Sequence, residues 1–155
     1  MAPERPPLPP GAYWFEDLEP GAWFSTGRIT VTETHVVGFA GLSGDFFDLH
    51  RDDEFARSQG FAGRVAHGLL GLSLVDGLKN RAEVKLMAVA SLSWNWNFRG
   101  PILIGDRIGA DITVASMRPT SKSERGIAEL SFSVRKQDDS VVQDGTTTLL
   151  MRRRG

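Results

Sequence analysis

Asp45 and His50 stand close together in a polar segment, and a carboxylate beside an imidazole is an acid/base pair. Gly44 precedes them, which makes a tight turn easy and lets both side chains aim at one point. Downstream, His67-Gly68 opens the apolar run Leu69 to Leu78. If that run is a helix, the Gly68 N–H is one of the donors a helix leaves unpaired at its positive end, and such a donor suits a developing oxyanion. On spacing alone, Asp45 reads as a turn aspartate bonding its own backbone and His50 as a surface histidine. The Gly68 block changes that reading, because a proton-handling pair and an oxyanion donor together make a catalytic set.

The rest of the chain supplies a frame for this set. Tyr13, Trp14, Phe15 and Leu18 form an aromatic anchor, Pro20-Gly21 turns, and a strand is expected from Trp23 to Thr30. Thr32 is an N-cap for a short helix with Val36, Val37, Phe39 and Ala40 on its apolar face, which Gly41 to Gly44 ends, delivering the chain to Asp45. Asp52 or Asp53 caps a second helix over Glu54 to Gln59, closed by Gly60. The run Gly68 to Leu78 is apolar on nearly every side, so it is expected to be a buried helix, and it is too short to span a membrane.

Strands C-terminal to this helix supply its wrapping. Leu86, Ala88, Ala90, Leu92, Trp94, Trp96 and Phe98 recur at every second position, the mark of a long strand with one buried face. The same period runs through Ile108 to Val114 and Ala128 to Val134, and a last strand fits Val141 to Met151. Several long strands after one buried helix predict an antiparallel sheet curled around that helix, an α+β arrangement. No internal repeat is present, so a single domain over 13–155 is expected, preceded by a proline-rich arm over 1–12 that is extended and frayed.

Composition narrows the function. A chain of 155 residues with a net charge of −1 has no basic field for nucleic acid or an anionic membrane. The basic cluster Arg152 to Arg154 reads as a solvated tail rather than a phosphate site. Without cysteine there is no disulfide and no thiolate nucleophile, which fits a reducing compartment, and the cytoplasm is the expectation. His35, His50 and His67 lack metal-ligand spacing, so no metal is expected, and His35 is assigned no function. Gly71-Leu72-Ser73-Leu74-Val75 lacks the second glycine of a nucleophile elbow. Trp94 and Trp96 alternate with Leu92 and Phe98, which makes them core rather than a platform for bases.

The pattern Phe39-x-x-Leu42-Ser43-Gly44-Asp45, then His50, Gly60-Phe61 and Arg64-Val65-Ala66-His67-Gly68-Leu69-Leu70 resembles the MaoC-like dehydratases, the (R)-specific enoyl-CoA hydratase group. Phe98-Arg99-x-Pro101 and Gly105-Asp106 extend the likeness. One departure is Phe47-Asp48, where the family usually carries Asn-Pro, so a rigid turn is exchanged for a second carboxylate.

The resemblance implies a hot-dog fold and the reversible hydration of a 2-enoyl thioester of coenzyme A. Asp45 and His50 would activate water and the Gly68 amide would receive the charge, with no cofactor beyond the coenzyme A of the substrate. It also implies a homodimer whose substrate tunnel both protomers line. Phe47, Asp48, Arg64, His67, Leu72 and Asp76 are the expected substrate-binding residues. His67 doubles as a packing or capping residue at the helix entry. Asp76 either pairs with Lys79 or Arg81 or meets a polar group on the acyl chain. The alternatives are a hot-dog acyl-CoA thioesterase and a non-catalytic acyl-binding subunit.

Overall fold

The computed structural model describes residues 5–155. The chain runs β1 (Gly11–Tyr13), a 3-10 turn (Phe15–Asp17), β2 (Trp23–Ser25), β3 (Ile29–Thr30), α1 (Glu33–Ser43), α2 (Asp48–Arg51), α3 (Asp53–Ser58) and α4 (Gly68–Asn80). Then come β4 (Val84–Leu86), β5 (Ala88–Phe98), β6 (Arg107–Pro119), β7 (Arg125–Arg135) and β8 (Val141–Arg152). The main sheet is antiparallel in the order β2-β6-β7-β8-β5, with β3 also on β6 and β1 paired in parallel with β4. Bulges in β5 and β6 interrupt the register, and a bulge bends and twists a strand, which lets the long sheet curl around α4. This is the hot-dog arrangement.

The core forms where the inward faces of β6, β7 and β8 meet α4. Ile108, Ile112, Leu130, Phe132, Leu149 and Met151 from the sheet enclose Leu70 and Val75 from the helix. Trp94 and Trp96 close one end, their rings 5.4 and 5.5 Å from that of Phe132, so both tryptophans are core as their period indicates. Among the described residues, no helix is long and apolar enough to cross a membrane.

Several expectations are corrected. The strand expected over Trp23 to Thr30 is split into β2 and β3, because the Thr26 hydroxyl takes a ladder position by accepting the Ala110 N–H at 3.0 Å. Helix α4 is buried along one stripe only. The sheet covers Leu70, Gly71, Val75 and Leu78, while Leu69 is 60% exposed. On β5, Leu92 is 54% and Phe98 55% exposed, since the bulge between Ser91 and Ser93 shifts the alternation and β5 is an edge strand.

The proline-rich arm is held over its described part. Leu8 N–H bonds to the Trp23 carbonyl, the Trp23 indole bonds to the Arg5 carbonyl, and Gly11 enters β1. Residues 1–4 lie outside the described residues. The tail is not free either: Arg153 pairs with Glu16, Arg154 with Asp17, and Arg152 stacks over the Trp14 ring. The Arg153 guanidinium holds the Glu16 carboxyl below the usual range, and the Trp14 N–H, with Arg154, does the same for Asp17.

Candidate active site

Helix α1 delivers the carboxylate. The Thr32 hydroxyl accepts the His35 N–H, and His35 Nδ1 accepts the Thr32 N–H in return, so His35 is a capping residue. The helix ends at Gly44, whose φ of 79° is the left-handed C-terminal conformation, and the chain turns into Asp45. The turn aspartate expected from spacing is real: Asp45 Oδ1 accepts the Phe47 N–H at 3.2 Å. That bond leaves Oδ2 free to face His50, whose Nε2 stands 3.7 Å away.

His50 sits on α2, a single turn of helix over Asp48–Arg51. Its Nδ1 lies 2.7 Å from the Val65 carbonyl oxygen, which can only accept, so Nδ1 carries a proton and donates it. In the neutral ring Nε2 is then the bare nitrogen, turned toward Asp45. The separation of 3.7 Å is too long for a direct hydrogen bond, and both atoms can reach one water. Val65 is itself fixed from both sides, by its N–H to the Leu49 carbonyl and by the neighbouring Ala66 N–H to the Ile102 carbonyl.

His67 binds the two halves together. Its Nε2 lies 2.9 Å from the Asp45 carbonyl oxygen, and its ring stacks on His50 with centroids 3.8 Å apart and planes 25° apart. It is 2% exposed, and Nδ1 has no hydrogen-bond partner among the described residues. Next in sequence, Gly68 begins α4 beneath Phe98. A Cβ here would lie 2.6 Å from that ring, so it is a glycine that lets the helix N-terminus come this close to Phe98 as it stands.

These groups line a cleft of about 270 Å³ with Phe39, Leu49, Ile102 and Gln143. The ligand atoms of Asp45, His50 and His67 fall within 4.8 Å of one another. Stacked imidazoles, however, send their in-plane lone pairs side by side rather than to one point, and each ring is committed through one nitrogen to a backbone carbonyl. The set suits moving a proton beside a helix N-terminus better than holding an ion.

Of the expected site residues, Asp45, His50, His67 and Gly68 are brought together here. Five others do not line this cleft. Arg64 is engaged by Glu33 at 3.0 Å and Asp53 at 3.6 Å, and Asp48 pairs with Arg51 at 2.9 Å. Phe47 stands edge-on to His50 at 6.0 Å, outside the cleft. Leu72 is partly covered further along α4, and Asp76 pairs with Lys79 at 2.7 Å, the structural alternative of the two. Gln143 was missed. Its signal was a long amide on the face of β8 that also carries Leu149 and Met151.

A family profile described as MaoC like domain matches residues 18–135. A 3-hydroxybutyryl-CoA dehydratase of Methylorubrum extorquens is 31% identical over 132 residues, 85% of this chain and 80% of that protein. An (R)-specific enoyl-CoA hydratase of Rhodospirillum rubrum is 30% identical over 110 residues, 71% and 75% of the two chains. The crystal structure of a MaoC-like dehydratase from Rhodospirillum rubrum superposes with a TM-score of 0.84 at 26% identity, covering 92% of this chain and 99% of that one.

Proposed function

This chain belongs to the family of MaoC-like domains, and from that premise we propose that it reversibly hydrates a 2-enoyl thioester of coenzyme A to the 3-hydroxyacyl thioester. The bare Nε2 of His50 and the free Oδ2 of Asp45 hold a water between them, and the pair takes one of its protons as the oxygen bonds to C3. The electron pair of the double bond moves toward the thioester oxygen, where the Gly68 N–H at the positive end of α4 receives the charge. Return of the proton to C2 completes the addition of water. The reverse sequence dehydrates the 3-hydroxyacyl thioester, and neither direction needs a further cofactor.

The observation that carries this reading is the tautomer of His50, fixed by the Val65 carbonyl so that the basic nitrogen faces Asp45 inside the cleft. Incubation with crotonyl-CoA tests it: the enoyl absorbance should fall without release of free thiol. Thiol released from saturated acyl-CoA would make the protein a thioesterase, and no reaction with either would leave an acyl-binding subunit.

The functional unit is proposed to be a homodimer of this single domain, the arm held on it included, acting in the cytoplasm. Leu69 and Phe98 stand exposed beside the cleft, and the β5 edge carries Val89 and Leu92, so a second copy would cover both the apolar surface and the open strand edge. Light scattering should give twice the 17.0 kDa chain mass, and an active monomer would contradict it.

A further inference from the structure

Gln143 is 2% exposed, yet it is an amide in the middle of the inner face of the sheet. Both ends of it are bonded. The Trp96 indole N–H reaches Oε1 at 3.0 Å, and Nε2 reaches the Gly68 carbonyl at 3.0 Å. An indole nitrogen can only donate and a carbonyl can only accept, so these two partners force the amide orientation. The side chain therefore spans from β5, through β8, to the first residue of α4.

The helix has been shaped for this contact. A Cβ at Gly71 would fall 2.5 Å from Gln143 Nε2, so the turn beginning at Gly68 carries a second glycine that lets the amide in. That close approach has a conformational cost, because glycine is the residue that most readily leaves the helical conformation, and first turns fray. The Nε2 bond to the Gly68 carbonyl restrains the residue whose N–H faces the developing charge.

We infer that Gln143 is a positioning residue: a strut from the sheet that holds the first turn of α4, and with it the Gly68 N–H, in place over the cleft. This rests on the hydratase reading for its catalytic consequence, though not for its structural one. A buried amide could instead be present only to satisfy Trp96. The two roles separate when both polar partners are replaced together, since removing a donor and its acceptor at once leaves no orphan and is close to neutral for stability.

The experiment compares Q143M, W96F and W96F/Q143M with the wild type, reading kcat and KM for crotonyl-CoA, Tm, and amide hydrogen exchange along α4. For a strut, Q143M lowers kcat about tenfold with KM within about twofold. Exchange at Gly71, whose N–H bonds to the His67 carbonyl and closes the first turn, becomes faster while that near Leu78 does not. The double variant recovers Tm and keeps the low kcat and the loosened first turn. W96F alone, which frees Oε1 but leaves Nε2 bonded, shows a smaller loss. Recovery of kcat together with Tm in the double variant would overturn the proposal, as would unchanged exchange at the first turn in any variant lacking Gln143. Should Q143M not fold, the double variant alone decides. Should the wild type fail to hydrate crotonyl-CoA, the exchange measurement decides by itself, so a wrong reaction and a wrong strut are told apart.

Discussion

Gly44-Asp45 and Gly105-Asp106 are the same dipeptide, and the chain folds both through a glycine of positive φ, 79° and 98°, yet the two carboxylates meet different ends. Asp106 is bonded through both oxygens. Its Oδ1 accepts the Gln137 amide at 2.8 Å, and its Oδ2 accepts the Leu103 N–H at 2.8 Å and the Lys136 ammonium at 3.2 Å. Burial pushes its pKa up, but those three donors outweigh it and hold the carboxyl below the usual range. Asp45 has one oxygen on the Phe47 N–H and the other facing His50 at 3.7 Å with half its side chain exposed. A carboxylate with both oxygens bonded within the chain holds a loop, and one with an oxygen to spare can act on something the chain does not contain.

The turn at Asp106 also serves the site at one remove. By gripping the Leu103 N–H it fixes the loop whose Ile102 carbonyl holds Ala66, next to the Val65 carbonyl that orients His50. The contrast is between holding and acting, and substitution of each aspartate by asparagine should pull the two apart.

The largest effect is expected at Asp45. Asp45→Asn should lower kcat for hydration by about 10²-fold with Tm nearly unchanged, because it removes a proton-handling group and no packing. A Tm loss comparable to that at Asp106 would erase the distinction. Asp106→Asn should act the other way, costing about 1–3 kcal/mol of stability at neutral pH while the folded fraction keeps most of its turnover. The sign with pH follows from the depressed carboxyl of Asp106 in the folded state. Its contribution is complete above the unfolded value of about 3.9 and is lost as pH falls through the folded value. The stability gap between wild type and Asp106→Asn should therefore be constant near neutrality and close in acid. Denaturant titrations at several pH values measure it, and a gap that widened in acid would contradict the assignment.

Sequence patterns made much of this legible. Period two in β6 and β7 is dictated by burial on one face, and burial is what periodicity records, while the apolar run marked α4 as a helix without showing which side it buries. That Asp45, His50 and Gly68 meet at one cleft was legible because each residue type carries its own chemistry. What escaped was decided by contacts between segments far apart in the chain. Nothing local tells that Arg64 will be taken by Glu33 and Asp53, that the arm will lie on β2 and β4, or that Arg153 and Arg154 will find Glu16 and Asp17. Leu69 and Phe98 broke the pattern for another reason: periodicity marks them as apolar, while the fold of one chain leaves them uncovered.

If Asp45 and His50 act on one water as a unit, their substitutions must not be independent. The rate of crotonyl-CoA hydration by the wild type, Asp45→Asn, His50→Ala and the double variant, at equal folded concentration, measures this. Groups that share one proton-transfer task are strongly non-additive. Each single variant should lose about 10²-fold, and the double variant should be little slower than either. Losses that multiply in the double variant, or a single variant that turns over near the wild-type rate, would contradict a shared water.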